Sequence, residues 1–163
     1  MLALRAVFFA LLMPGTVVIV IPWLLLRGQP SSGLRLDPPT IVGAALAIAG
    51  ALVLFVCIRD FAVSGRGTLA PVDPPRKLVR VGLYRHVRNP MYLGVLLALV
   101  GEAVFFESPV LGFYAAIVAL AFHLFVVLLE EPTLRSSFGA DYERYRASVP
   151  RWIPRLRPWE QRS

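Results

Sequence analysis

The chain has 163 residues, of which 57% are hydrophobic, and its mean hydropathy is +0.67. Soluble domains are about 45–50% apolar, so the excess excludes a water-soluble domain of ordinary composition and indicates a membrane protein. The single cysteine, Cys57, excludes an intrachain disulfide, and one cysteine with two histidines gives no metal-binding motif. The length predicts a single membrane domain, 1–163.

Four apolar runs predict four transmembrane helices. They cover residues 6–26, 41–58, 91–106 and 110–129. A membrane-spanning helix needs about 20 apolar residues, within a range of roughly 17–25. The third run is short, but Pro90 can be its first helical residue and Asn89 can cap it. We interpret the first run as an anchor rather than a signal peptide, because no small-residue cleavage site follows it.

The first half of the chain has the character of a scaffold. Residues 1–58 contain the first two runs, which carry no ionisable residue, and Gly43 and Gly50 would let helices approach closely. We therefore expect residues 1–58 to form a two-helix scaffold. We expect residues 59–163 to carry the chemistry, in a loop, a helical hairpin and a C-terminal segment.

A very short connection joins the third and fourth runs. Only residues 107–109 separate the two runs, and such a connection predicts an antiparallel helical hairpin. The hairpin should bring Asn89 and Tyr92, at the start of the third helix, to the membrane depth of Glu130, near the end of the fourth. The sequence thus predicts that polar residues gather at one end of the bundle, which we call the inner mouth.

The positive charges predict the orientation in the membrane. The formal net charge is +7, and fifteen of the seventeen Lys and Arg residues lie on the side that holds both termini and the loop 59–90. Short loops rich in Lys and Arg stay in the cytoplasm. We therefore expect an integral protein of the cell inner membrane with cytoplasmic N- and C-termini. Topology and anionic lipids account for the basic charge, so we expect no nucleic-acid partner.

The segment after the fourth run predicts an amphipathic helix. Its apolar positions recur at spacings of three and four, with an interruption near Gly139. These positions are Leu134, Phe138, Tyr142, Tyr145 and Val149. The predicted fold class is therefore all-α: an integral membrane bundle of four transmembrane helices with a C-terminal cytoplasmic amphipathic segment. This segment should lie along the membrane surface or fold over the inner mouth.

Two ionisable residues lie within the apolar runs. Such residues cost free energy inside a membrane and often have a function there. Glu102 should lie near the level of Tyr114, and a buried Glu–Tyr hydrogen bond is the simplest interpretation. His123 precedes Glu130 by seven residues, two turns along the same helix face, and could position a substrate or act as a base. With Arg88 in the loop, His123 is our candidate for a catalytic residue.

Two blocks of sequence resemble a known family. The first reads GLYRHVRNPMYLG at residues 82–94, and the second runs from Glu130 through the amphipathic positions to residues 149–151. Together they resemble the isoprenylcysteine carboxyl methyltransferase family, in a superfamily that also contains membrane phospholipid N-methyltransferases. The resemblance covers about half of the chain, roughly residues 76–154.

The resemblance implies S-adenosylmethionine as the methyl donor and no metal. The residues that match the family's cofactor contacts are Lys77, Leu78, Val79, Tyr84, Asn89, Pro90, Met91, Tyr92 and Glu130. The helix that begins at Pro90 would present free N–H groups to the methionine carboxylate. Glu130 could take the ammonium group or a ribose hydroxyl, and the tyrosines could face the sulfonium.

The sequence departs from the family at two positions. Asn89 stands where the family usually has a histidine, and an amide cannot take up a proton. Val126 stands where members that methylate a prenylated cysteine carboxylate have an arginine. The resemblance therefore predicts an acceptor that is neutral or cationic near its reacting atom.

The predicted function is S-adenosylmethionine-dependent methyl transfer to a lipidic or membrane-partitioned acceptor at the cytoplasmic membrane face. A relative of sterol-type NADPH reductases and a non-catalytic membrane accessory protein remain as alternatives. Each residue also has a simpler interpretation. Tyr84 and Tyr92 could belong to an interfacial aromatic belt, Glu130 and Glu131 could mark the membrane exit, and Arg88 could bind lipid phosphate.

Overall fold

All regular secondary structure in the described part of the chain is helical, as the all-α prediction requires. The computed structural model describes residues 14–27, 37–64 and 78–160. The helices are α1 (Thr16–Leu26), α2 (Pro38–Ser64), α3 (Pro90–Phe105), α4 (Pro109–Phe125) and α5 (Glu131–Ser148). Thr16–Val20, within α1, is π-helical, Gly82–Arg85 is a 3₁₀ turn before α3, and the π-helical turn Val126–Glu130 joins α4 to α5.

Two of these helices are long and apolar enough, by length and composition, to cross a membrane. They are Pro38–Asp60 and the continuous helix Pro109–Ser148, and only 17% and 22% of the residues in their most apolar windows are buried in the protein. Apolar surface left exposed on this scale indicates a non-aqueous surrounding. Thr16–Leu26 and Pro90–Phe105 are shorter apolar helices, and residues 6–13 of the first predicted run lie outside the described residues.

Small residues let α2 and α3 pack with their backbones in contact. A β-carbon on Gly43 would overlap the backbone of α3 at Gly101 and Phe105, and one on Gly50 would overlap it at Gly94 and Ala98. Glycine at these positions removes the side chain that would otherwise separate the helices. The predicted close approach is confirmed: α3 packs along α2 with backbone contacts at both glycines.

The predicted hairpin is present, and it sets the position of the site. Phe106 caps α3, and the hydroxyl of Ser108 accepts a hydrogen bond from the Leu111 backbone N–H at the start of α4. The hairpin brings the beginning of α3 beside the end of α4, where the Tyr92 hydroxyl donates to Glu130 Oε2 at 3.0 Å. The predicted match in depth between these two residues is therefore confirmed.

Two local predictions need correction. Tyr114 does not pair with Glu102: its hydroxyl donates to the Val17 carbonyl at 3.0 Å, because α1 brings a backbone acceptor to that level of α4. Asn89 occupies the N-cap position of α3, but its side chain makes no capping hydrogen bond. Its amide instead donates to the Arg151 carbonyl at 3.2 Å.

Candidate functional site

A cavity lies between the loop before α3, the π-helical turn after α4, and α5. Six of the residues predicted to bind or act in the site line it, namely Leu78, Val79, Tyr84, Arg88, Asn89 and Glu130. Five further residues complete the wall, namely Val126, Glu131, Leu134, Tyr142 and Tyr145. The two sequence blocks that carry the family resemblance thus meet around one space, although about forty residues separate them.

The loop presents Tyr84 to the cavity through a sharply bent turn. Gly82 has a φ of 54°, which glycine adopts without the steric cost of a β-carbon, and it starts the 3₁₀ turn Gly82–Arg85. The hydroxyl of Tyr145 donates to the Tyr84 carbonyl at 2.6 Å, and so α5 holds the turn from the other side. Burial raises the pKa of the Tyr84 phenol well above its usual range, which keeps the ring neutral.

Glu130 has a single hydroxyl as its partner. Its carboxylate accepts from Tyr92 at 3.0 Å, and none of the described cations forms an ion pair with it. Tyr92 packs its ring against Phe122, with centroids 4.6 Å apart. Neither Tyr92 nor the helix-starting Pro90 and Met91 line the cavity, but Tyr92 reaches it through Glu130. Glu130 is therefore the carboxylate in the wall whose charge is left for a ligand.

Glu131 has the opposite environment. Its Oε1 accepts from Arg88 Nη1 at 2.9 Å and from Arg151 Nε at 2.6 Å, while Oε2 accepts from Arg151 Nη2 at 3.0 Å. The Glu131 and Arg88 side chains are only 7% and 10% exposed. The hydrogen bonds with Glu131 raise the pKa of Arg151 further. Glu131 is thus the centre of a buried ion cluster that ties the loop, α5 and the chain after α5 together.

Arg88 keeps one donor unused. Its Nη1 is shared between Glu131 and the hydroxyl of Tyr142, at 2.9 and 3.1 Å. Its Nε is buried and has no hydrogen-bond partner in the described part of the protein. Buried donors are nearly always paired, so this nitrogen is an unsatisfied donor within a residue that lines the cavity.

The residues after α5 fold back over the loop and form a C-terminal strap, residues 149–160. The backbone N–H of Arg88 donates to the Pro150 carbonyl at 2.9 Å, that of Arg155 to His86 at 3.0 Å, and that of Trp159 to Arg85 at 2.9 Å. These contacts hold the strap along the whole loop 85–88. The strap after α5, rather than the predicted amphipathic segment, therefore covers the loop that lines the cavity, while that segment forms α5 and lines the cavity directly.

His123 lies outside the cavity wall. It is exposed, and its Nδ1 accepts a hydrogen bond from the Trp152 indole N–H at 3.2 Å. The spacing of seven residues predicts one face for His123 and Glu130, but the π-helical turn Val126–Glu130 between them shifts the register. Glu130 thus faces the cavity while His123 faces the strap. Lys77, another predicted contact, lies outside the described residues.

Sequence reasoning missed the role of Glu131 and its two arginines, Arg88 and Arg151. In the sequence, only the adjacent pair Glu130-Glu131 indicates a carboxylate with a structural role. The sequence does not show which of the two would bind the arginines. The described residues contain no group of three or more His, Cys, Asp or Glu that could hold a metal ion. The polar groups of the cavity wall include the Glu130 and Glu131 carboxylates, the Arg88 guanidinium and three tyrosines.

The fold and the site define a helical protein of membrane type with a polar cavity at one end of a helical hairpin. The chain belongs to the phospholipid methyltransferase family, whose family model matches residues 39–141. The matched range contains most of the cavity wall, from the loop to the first turns of α5. The resemblance seen in the sequence to the superfamily of membrane methyltransferases is confirmed.

The curated relatives are methyltransferases. Methanethiol S-methyltransferase 2 of Bradyrhizobium diazoefficiens is 33% identical over 105 residues, which is 63% of this chain and 34% of that protein. Protein-S-isoprenylcysteine O-methyltransferase B of Arabidopsis thaliana is 35% identical over 78 residues, 48% of this chain and 40% of that protein. The corresponding enzyme of Schizosaccharomyces pombe is 35% identical over 77 residues, 47% of this chain and 33% of that protein. These matches span only about a third to two-fifths of the relatives, and no solved structure matches.

Proposed function

We propose that the protein transfers a methyl group from S-adenosylmethionine to a lipidic or membrane-partitioned acceptor at the cytoplasmic membrane face. The observation that carries the proposal is the meeting of the two family-like blocks around one cavity, with Tyr84, Arg88 and Asn89 on one wall and Glu130 on the other. Family membership and the methyltransferase relatives support methyl transfer as the reaction type.

The residues of the cavity fit this cofactor. The open carboxylate of Glu130 suits an ammonium group or ribose hydroxyls, and the unpaired Nε of Arg88 suits a carboxylate. Tyr84 and Tyr145 line the same space, and an aromatic ring that faced the sulfonium would attract it by about 0.5–2 kcal/mol. When bound, S-adenosylmethionine supplies a methyl group on a positively charged sulfur, which is already a strong electrophile.

The work of the chain is then mainly to position the acceptor and to exclude water. Val126 and Leu134 give the cavity an apolar wall, and the strap lies over the loop that lines it. Arg88 would orient an anionic group in the cavity. His123 bonds Trp152, whose ring lies beside that of Tyr92, so we assign His123 a positioning role through Trp152 rather than proton transfer.

The proposed membrane arrangement has four transmembrane helices within one domain, 1–163. Both termini and the cavity face the cytoplasm of a cell with an inner membrane, as the distribution of Lys and Arg predicts. The soluble cofactor would enter from the water side. The acceptor would enter sideways from the lipid, which suits the acceptors in the relatives' names, an isoprenylated cysteine and the small apolar thiol methanethiol.

Ligand binding to the purified protein tests this function. Radiolabelled S-adenosylmethionine should bind, and the isosteric variant Glu130→Gln should bind it more weakly, while NADPH should not bind. Binding of NADPH instead would favour the sterol-type reductase alternative. Binding of neither ligand by a folded protein would favour a non-catalytic accessory role.

A further inference from the structure

The C-terminal strap carries an apolar surface that no part of the described protein covers. Ile153 and Leu156 are 79% and 97% exposed, and Arg157 beside them is exposed with no ion pair among the described residues. Trp152 precedes them on the same segment. A run of exposed large apolar side chains next to arginine and tryptophan has the composition of a membrane-interface segment.

The strap reaches back along α4 toward the membrane interior. Trp152 hydrogen-bonds His123, which precedes Glu130 by seven residues. At about 1.5 Å per residue, that contact lies about 10 Å along the helix from the carboxylate. The strap therefore does not project away from the end of α4 but lies beside its apolar part.

The surroundings of the Trp152–His123 contact are apolar and exposed. Leu120 and Leu124 on α4 and Leu128 in the π-helical turn that follows it are 60%, 47% and 64% exposed. The indole N–H and the imidazole Nδ1 satisfy each other at 3.2 Å on this otherwise apolar surface. A polar group in hydrocarbon must find its partner within the protein, so this bond lowers the cost of placing the Trp152 indole N–H in lipid, while the imidazole Nε2–H remains a donor for a headgroup or water.

We propose that residues 151–157 of the strap dock on the phospholipid bilayer, with Trp152, Ile153 and Leu156 in its apolar layer and Arg157 at the lipid phosphates. The exposed apolar surface of the strap continues that of α4, and the charge of Arg157 complements anionic headgroups. The strap is then a lipid-binding element of the protein, separate from the cavity. This inference does not rest on methyl transfer.

Spin labels on single cysteines test the docking. Cys57 is the only cysteine and is fully buried, so the unmodified protein serves as the background for labelling. Ile153→Cys and Leu156→Cys are labelled in nanodiscs that contain phosphatidylglycerol. Leu128→Cys, on the exposed apolar surface of the π-helical turn after α4, and Arg144→Cys, on the polar surface of α5, are the matched controls.

The measurement compares relaxation by oxygen, which concentrates in lipid, with relaxation by a water-soluble nickel chelate. Positions 153 and 156 should resemble Leu128→Cys, with oxygen the stronger relaxant, while Arg144→Cys shows the reverse. Resemblance to Arg144→Cys would overturn the proposal. Low accessibility to both relaxants would also overturn it, because a second protein surface would then cover the strap. If the label at Leu128→Cys were relaxed mainly by the nickel chelate, the apolar surface that the strap continues would face water, and the proposal would be wrong for that reason.

A second measurement avoids labels. Brominated lipids quench tryptophan fluorescence on contact, and the chain has three tryptophans. The loss of fluorescence on brominated lipid should shrink in Trp152→Phe, since the proposal places that indole among acyl chains. Equal quenching in both proteins would contradict it. Neither measurement needs cofactor or turnover, so the docking and the proposed function can fail separately.

Discussion

The Asp60 carboxylate occupies the space in which a β-carbon on Gly82 would lie. Gly82 has a φ of 54°, and Asp60 is buried near the end of α2, where it also pairs with Arg59 at 2.9 Å. The turn that carries Tyr84 therefore packs directly against α2. The helix that the sequence assigns to the scaffold thus fixes one wall of the candidate site.

Gly82→Ala should destabilise the protein strongly. An alanine with a left-handed backbone costs about 1–2 kcal/mol, and the overlap with Asp60 adds about 1–3 kcal/mol of overpacking. The thermal unfolding midpoint in detergent measures the loss. It should be accompanied by weaker binding of S-adenosylmethionine, because the turn that presents Tyr84 must shift.

Two other glycines provide matched controls for Gly82→Ala. Gly112 is in the first turn of α4 with open space around it, so Gly112→Ala should be neutral or stabilising by up to about 1 kcal/mol. Gly139 has a φ of 49° and open space, so Gly139→Ala should cost only the backbone strain, about 1–3 kcal/mol. A Gly82 variant as stable as the Gly139 variant would show that Asp60 moves away freely, and one as stable as the Gly112 variant would contradict the backbone strain as well.

The sequence predicts the helices and the meeting of Tyr92 with Glu130 because both follow from local signals. Apolar runs define the helices, Pro90 defines a helix start, and a three-residue connection forces the hairpin. The contact of Asp60 with Gly82 has no such signal. It depends on how the loop before α3 folds onto α2, which neither periodicity nor charge encodes.

The same limit applies to Glu131 and to His123. Which of two adjacent carboxylates turns toward Arg88 and Arg151 depends on the helix register, and a π-helical turn before Glu131 changes that register by one residue. The seven-residue spacing from His123 to Glu130 assumes an unbroken α-helix. The role of His123 stays a prediction, and its neighbour is the strap.

Glu130→Gln and Glu131→Gln should separate ligand binding from stability. Glu130→Gln should weaken binding of S-adenosylmethionine at least about tenfold, or about 1.4 kcal/mol, because it removes the open carboxylate from the cavity. Glu131→Gln should instead lower the free energy of unfolding by about 3 kcal/mol, because it leaves Arg88 and Arg151 without their buried counter-charge. Isothermal titration and thermal unfolding measure the two effects.

Tyr92→Phe is the control for the Glu130 variant. It removes the one hydroxyl among the described residues that bonds Glu130 but leaves the charge and the ring packing on Phe122. Its effect on cofactor affinity should therefore be smaller than that of Glu130→Gln. Small and equal effects of the Glu130 and Glu131 variants on both measurements would favour the simpler interpretation, in which the two residues only mark the membrane exit.

Cysteine accessibility should fix the topology. Glu107 and Glu160 are exposed and lie on opposite sides of the proposed last span, and the native Cys57 is fully buried. In intact cells, a membrane-impermeant maleimide should label Glu107→Cys and should label Glu160→Cys only after the cells are opened. The uneven distribution of Lys and Arg is the physical reason. Labelling of Glu160→Cys in intact cells would place the C-terminus outside and contradict the four-span arrangement.

The acceptor should be neutral or cationic near its reacting atom. Val126 is 1% exposed and lines the cavity at the position where the resemblance would place a carboxylate-binding arginine. Most of the guanidinium capacity nearby is already taken, since Arg88 and Arg151 both bond Glu131. A buried carboxylate without its own counter-charge costs several kcal/mol, on the order of a hundredfold or more in affinity.

Purified enzyme should therefore methylate thiol, amine or hydroxyl lipids much faster than N-acetyl-S-farnesylcysteine. The assay is a competition in one detergent, with radiolabelled S-adenosylmethionine and products identified by mass spectrometry. Because every acceptor draws on the same bound cofactor, the product ratio reports acceptor preference alone. Efficient methyl-ester formation on the farnesylcysteine would refute the prediction. Arg88 would then be the first candidate for binding the acceptor carboxylate instead of the cofactor carboxylate, and Arg88→Lys, which removes the unpaired Nε but keeps a charge, should lower the ester product while S-adenosylmethionine still binds.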